Sequence, residues 1–99
     1  MQNANKHRFV DDDLIYNSIH ELNTRFNVDI DPSHFFEEPM SDYCTAELKD
    51  NKLTLIFPVT ASAKYAEVIF EVEDSIIDTN SLSYNNAFDL EISVKTLNY

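Results

Sequence analysis

The sequence has no glycine and no tryptophan, a single cysteine, and only seven lysines and arginines against eighteen aspartates and glutamates in 99 residues. Average usage would put about seven glycines in a chain of this length. Phosphate-cradling loops of the P-loop and dinucleotide types need glycine so that the backbone can approach the phosphates, and neither pattern can be written here, which argues against nucleotide-dependent catalysis. Cys44 alone permits no internal disulfide and no multi-cysteine zinc site. The fold therefore does not depend on an oxidising compartment, and a cytoplasmic location is expected. No eighteen apolar residues run together, and the start carries Lys6 and Arg8 with no apolar stretch behind them. Neither a membrane span nor a secretory leader is expected. The shortage of positive charge leaves a formal net charge of −11, unfavourable for direct contact with nucleic acid or an anionic membrane and favourable for a cationic partner.

Hydrophobic residues at 43% and charged residues at 25% are ordinary globular values, too apolar for a disordered tail. The length suits one domain. Residues 1–10, polar and slightly basic, read as a flexible terminus, and 11–99 as a single folded unit. Asp11, Asp12 and Asp13 precede Ile15, Ile19, Leu22 and Phe26, whose spacing marks one face of a helix over about 12–26. The aspartates are expected to supply a capping oxygen and favourable charge at the helix start, and Asn27 the left-handed residue at its end. Asp31-Pro32 is a second helix start cut short by Pro39, which leaves room for a helical turn near 32–38.

From Asp42 the period changes to two. Cys44, Ala46 and Leu48 alternate with polar residues, as do Leu53, Leu55 and Phe57 after Asp50-Asn51, and the pair reads as a hairpin. Pro58 lacks a ladder N–H, so strand 52–57 is expected to be short or to lie at an edge there. Residues 65–73 fit either a helical stripe or a strand; the alternation of Ala66, Val68, Phe70 and Val72 and the β-branched content favour the strand, with Ile69 on the polar side. Phe88, Leu90, Ile92 and Val94 alternate with Asp89, Glu91, Ser93 and Lys95, which predicts the last strand, and 74–86 read as a long polar connection. The expected fold is α+β: one N-terminal amphipathic helix packed on a four-stranded antiparallel sheet whose other face is in water.

The chemistry-bearing constellations are sparse. Asp29-Ile30-Asp31 with Ser33 opens like a calcium loop, but His34 stands where the loop needs glycine and Met40 where it needs a bidentate glutamate, so Asp31 is read as a helix cap and no metal is expected. His7, His20 and His34 form no metal-ligand spacing. Cys44, on the apolar side of its strand, reads as a buried structural cysteine, and no enzyme activity and no cofactor are expected. A concave pocket at His34 or Cys44 is the feature whose absence would dismiss catalysis.

Charge placement says more than total charge. Residues 26–48 hold six acids and 65–94 hold seven, with no lysine or arginine in either interval. Glu67, Glu71 and Glu73 share the polar side of one predicted strand, and Asp89 and Glu91 that of the next. If these strands pair, five carboxylates face water together with only Lys95 nearby. Phe35 and Phe36 are adjacent and cannot both enter the core, so Phe36, flanked by Glu37 and Glu38, is a second candidate contact.

In size and charge the chain resembles small acidic inhibitors: phage proteins that block restriction or CRISPR nucleases by imitating DNA, and bacterial immunity proteins that cap nuclease toxins. That resemblance is one of class and supplies no site; together with the charge placement it leads to the expectation of a protein that binds the cationic nucleic-acid site of a nuclease or other basic partner, with Glu67, Glu71, Glu73, Asp89 and Glu91, read from the strand alternation, as phosphate surrogates. The alternative is a structural or oligomer-forming subunit whose acidity keeps it in solution and whose edge strand pairs with a second copy.

Overall fold

The computed structural model describes residues 10–59, 64–85 and 88. The element order is helix α1 (Asp12–Phe26), two 3-10 turns (Pro32–Phe35 and Met40–Asp42), then strands β1 (Thr45–Lys49), β2 (Lys52–Val59), β3 (Lys64–Glu73) and β4 (Ile76–Tyr84). The strands form one antiparallel sheet in the order β1-β2-β3-β4. The architecture is α+β, as expected.

Helix α1 forms where the apolar spacing placed it. Ile15, Ile19 and Leu22 are fully buried and Phe26 packs against the same core. Asn27 ends the helix in the left-handed region (φ 56°, ψ 45°), a conformation its short polar side chain tolerates. The start differs from expectation: the Asp11 side chain makes no capping bond, and its main-chain carbonyl instead accepts from Leu14 N–H at 3.0 Å. Asp12 and Asp13, in the first turn, still place favourable charge at the positive end of the helix dipole. Val10, the last residue of the segment read as a flexible terminus, is already in the core, whereas residues 1–9 lie outside the described residues.

The inner face of the sheet carries Ala46, Leu53, Leu55, Phe57, Ala66, Val68, Phe70, Val72 and Ile77, all buried in one core with the helix stripe. This period-two set is the alternation read for β1 to β3. β2 is eight residues long and central, yet Pro58 does lie at an edge: β1 begins at Thr45, opposite Ile56, so Pro58 has β3 on one side and no β1 residue on the other.

The segment 74–86, read as a polar connection, is mostly strand β4. Asp74 and Ser75 both adopt positive φ (54° and 64°), so the chain reverses in two residues directly after Glu73. Asp50 and Asn51 do the same between β1 and β2 (55° and 64°). Positive φ at both central residues is the requirement of a type I′ hairpin turn. A chain without glycine meets it with Asp, Asn and Ser at a cost in local strain. Ser75→Gly is therefore expected to raise the unfolding free energy by about 0.5–1 kcal/mol and Ser75→Val to lower it by about 1 kcal/mol, both read by urea denaturation.

β4 gives no clear strand signal in the sequence because its alternation is interrupted. Its register jumps from Glu71↔Asp78 to Ile69↔Ser83, so the stretch 79–82 bulges out opposite Phe70. The bulge is held by local bonds: the Asn80 N–H donates to Asp78 Oδ1 (3.0 Å), the Ser81 hydroxyl donates to the Asp78 carbonyl (2.6 Å), and the Glu71 N–H donates to the Ser81 hydroxyl (2.7 Å). Arg25, paired with Glu21 at 2.8 Å, donates from α1 to the Thr79 carbonyl. Phe88 corrects the last predicted strand at its first residue: its backbone is helical, its N–H donates to the Asn85 carbonyl at 3.1 Å, and its ring is fully buried. The remainder of that prediction, 89–94, lies outside the described residues.

Candidate functional site: the open face of the sheet

The helix covers one face of the sheet and leaves the other open. Strand geometry sends alternate side chains to that open face. Thr45, Glu47 and Lys49 come from β1, Lys52, Thr54, Ile56 and Pro58 from β2, Tyr65, Glu67, Ile69, Glu71 and Glu73 from β3, and Ile76 and Asp78 from β4. Glu67, Glu71 and Glu73 are all exposed there, on the one surface where the alternation placed them.

The neighbours differ from those expected. β3 lies between β2 and β4, so Glu71 is in register with Lys52 on one side and Asp78 on the other. Glu67 is opposite Ile56, and Glu73 is opposite Ile76. Lys49 is in register with Lys52. The surface therefore has Lys49 and Lys52 at one margin, where Lys95 alone was foreseen, and gains Glu47 and Asp78. Asp89 and Glu91 lie outside the described residues. Reading the β1–β2 hairpin register through to β3 would have found Lys52; Asp78 was hidden by the irregularity of β4.

Both two-residue turns fall at the same end of the sheet, and the Val72 N–H donates across to the Asn51 carbonyl at 2.8 Å. An open depression of about 380 Å³ lies there, lined by Asp50, Asn51, Lys52, Glu71, Glu73 and Asp78. Four carboxylates thus converge around one lysine. Side chains directly opposite on adjacent strands approach to about 5 Å, where two unit charges repel by roughly 0.8 kcal/mol even in bulk water. Glu71 and Asp78 stand in that relation. Among the described residues the ion pairs are Arg25–Glu21 and His34–Asp31, and none of the open-face carboxylates is within ion-pair distance of a cation.

The centre of the same face is less polar than its margins. Ile56 and Ile69 are diagonal neighbours across β2 and β3, both half-buried, with Thr54 between them. An apolar centre inside a charged rim is the usual anatomy of a protein–protein contact.

Phe36, Glu37 and Glu38 do not join this surface. Phe35 takes the core position, and the half-buried Phe36 ring stacks on Tyr16 of α1, centroids 5.3 Å apart and planes 20° from parallel. That contact belongs to the helix layer, on the opposite side of the sheet. Glu37 and Glu38 follow it there, both exposed.

Asp31 is the helix cap expected of it. Its Oδ1 accepts from the Ser33 N–H at 3.0 Å, and this bond, with a second from the Ser33 side chain, holds its carboxyl below the ordinary aspartate value. Its Oδ2 is 3.8 Å from His34 Nε2. Cys44 is buried, 1% exposed, just before β1. A concave pocket of about 220 Å³ is lined by both His34 and Cys44, so the recess whose absence would have dismissed catalysis is present. Among the described residues no three His, Cys, Asp or Glu side chains are grouped to hold a metal ion, and no helix is long and apolar enough to cross a membrane.

No protein-family model matches the sequence, and comparison with curated proteins and with solved structures yields no match.

Proposed function

We propose that this chain is a non-catalytic cytoplasmic inhibitor that occupies the cationic nucleic-acid site of a partner, a nuclease or other nucleic-acid-binding protein, in the manner of a DNA mimic. The observation that supports this reading is the gathering of Glu67, Glu71 and Glu73, joined by Asp78, on a sheet face that, among the described residues, no helix covers and no ion pair neutralises. Glu71 and Glu73 are two residues apart, about 6.8 Å along the strand, or about twice the 3.4 Å rise between phosphates of one DNA strand. From Glu67 to Glu73 the row extends about 20 Å, the reach of about six phosphates. Asp89 and Glu91 remain proposed members of the same surface. A basic groove draws such a row in by long-range attraction, and the apolar centre at Ile56 and Ile69 gives it something to hold once docked.

The second reading is self-association, and it too has a feature in its favour. Among the described strands β1 has a neighbour on one side only, and an outer edge of that kind is the feature through which a second copy would pair. Salt separates the two. Affinity for a basic partner is expected to fall steeply between about 50 and 200 mM salt, the range over which groove–polyanion contacts weaken by orders of magnitude. Backbone pairing between like-charged copies holds or strengthens as repulsion is screened. Partner retention and sedimentation of the chain alone, each followed across that range, discriminate between them.

A further inference from the structure

The pocket at His34 and Cys44 lies at the end of the sheet away from the two hairpin turns, under the stretch that connects α1 to β1. Its walls include Val28, Phe35, Met40, Phe57 and the Cys44 thiol, so its lining is mainly apolar. Its mouth is different: Asp29 and Asp31 stand there, both exposed, with His34 beside them. No lysine or arginine occurs between 26 and 48. The Ser33 bonds hold the Asp31 carboxyl below the ordinary aspartate value. Asn23 braces the arrangement, its side chain donating to the Ile30 carbonyl (2.9 Å) and accepting from the Ile30 N–H (2.8 Å), so the strand of chain between the two aspartates is fixed to the helix.

We propose that this pocket binds a small amphipathic amine: one apolar group of about benzene size in the recess, joined by a short linker to an ammonium at Asp29 and Asp31. The volume of about 220 Å³ exceeds the roughly 150 Å³ of an apolar cavity that holds benzene and is below the usual range for drug-sized ligands, which sets the size class. The walls select an apolar body because their buried side chains are hydrocarbon and sulfur, poor partners for a polar group. The carboxylates select the sign of the head group. The inference is independent of the sheet-face reading.

Three probes that share a phenylethyl group test it on the whole chain. They are 2-phenylethylamine, 2-phenylethanol and 3-phenylpropionate, followed by amide chemical shifts. The amine is expected to shift the amides of Ile30, His34 and Cys44 in a saturable way, binding about fivefold more tightly than the alcohol, with the carboxylate weakest, as exposed charge pairs allow. Asp29→Asn with Asp31→Asn, which keeps the Ser33 acceptor, should erase the preference for the amine while binding of the alcohol persists. Met40→Trp, which fills the recess, should abolish binding of all three, its fold checked by the dispersion of the same spectrum. Equal affinity for the three probes, no saturable shift at these amides, or undiminished binding in a folded Met40→Trp chain overturns the proposal.

Discussion

Phe88→Ala is expected to lower the unfolding free energy by about 3–5 kcal/mol, the usual cost of truncating a fully buried phenylalanine and a large share of the 5–15 kcal/mol typical of a small domain. Phe88 is 0% exposed. Its ring meets Phe26 at 5.4 Å, Tyr84 at 5.4 Å and Phe57 at 6.0 Å, all edge to face. These partners come from the end of α1, the end of β4 and the end of β2. Because the three elements are each fixed by their own hydrogen bonds, they cannot close over the space that the ring vacates, and the cavity term adds to the transfer term. Phe36→Ala supplies the contrast: a half-buried ring stacked on Tyr16 should cost about 1–1.5 kcal/mol. Urea titrations of both variants give the comparison, and a Phe88→Ala loss under about 1 kcal/mol would contradict the placement of that ring.

The second large effect concerns binding. Reversing Glu67 and Glu73 to lysine is expected to weaken attachment to the basic partner by on the order of 100-fold, since close charge pairs across an interface couple by about 1.5 kcal/mol or more each. The two positions are chosen on structural grounds. Their register partners are Ile56 and Ile76, so neither new lysine is set directly against another cation. Glu71 is unsuitable, because a lysine there would stand opposite Lys52 and mix a folding defect with a binding defect. Since both side chains are exposed and outside the core, thermal unfolding of the double variant should stay within about 1 kcal/mol of the parent. Unchanged affinity in that variant would remove Glu67 and Glu73 from the contact surface.

How much of this was legible in the sequence follows from which physical signals are local. The stripe Ile15, Ile19, Leu22 and Phe26 with Asn27 after it specifies a helix and its end without reference to anything distant, and both are found. Alternation in 44–57 and 65–73 likewise fixes three strands and sends Glu67, Glu71 and Glu73 outward. The strand over 76–84 is not legible because two non-local facts decide it. Asp74-Ser75 is a poor turn dipeptide that becomes a turn only once β3 has a partner to pair with, and the bulge at 79–82 breaks the period that would have announced β4. The regular alternation from Phe88 onward reads as a strand, whereas Phe88 itself is helical and anchors the core. The open face depends on the same non-local facts. Its acids on β3 were visible, while Asp78 and the lysines at its margin depend on which strand lies beside which. Phe36 shows the reverse case, in which the question of which adjacent phenylalanine enters the core is settled only by Tyr16 on a helix twenty residues earlier.

Competition with duplex DNA is the most direct measurement of the central claim. With the immobilised chain holding its basic partner at low salt, increasing duplex should release the partner in proportion to its own affinity for DNA, and the released protein should carry DNA and no acidic chain. A complex containing the chain, the partner and DNA together, stable through gel filtration, would show that the acidic face lies elsewhere on the partner and would contradict the account.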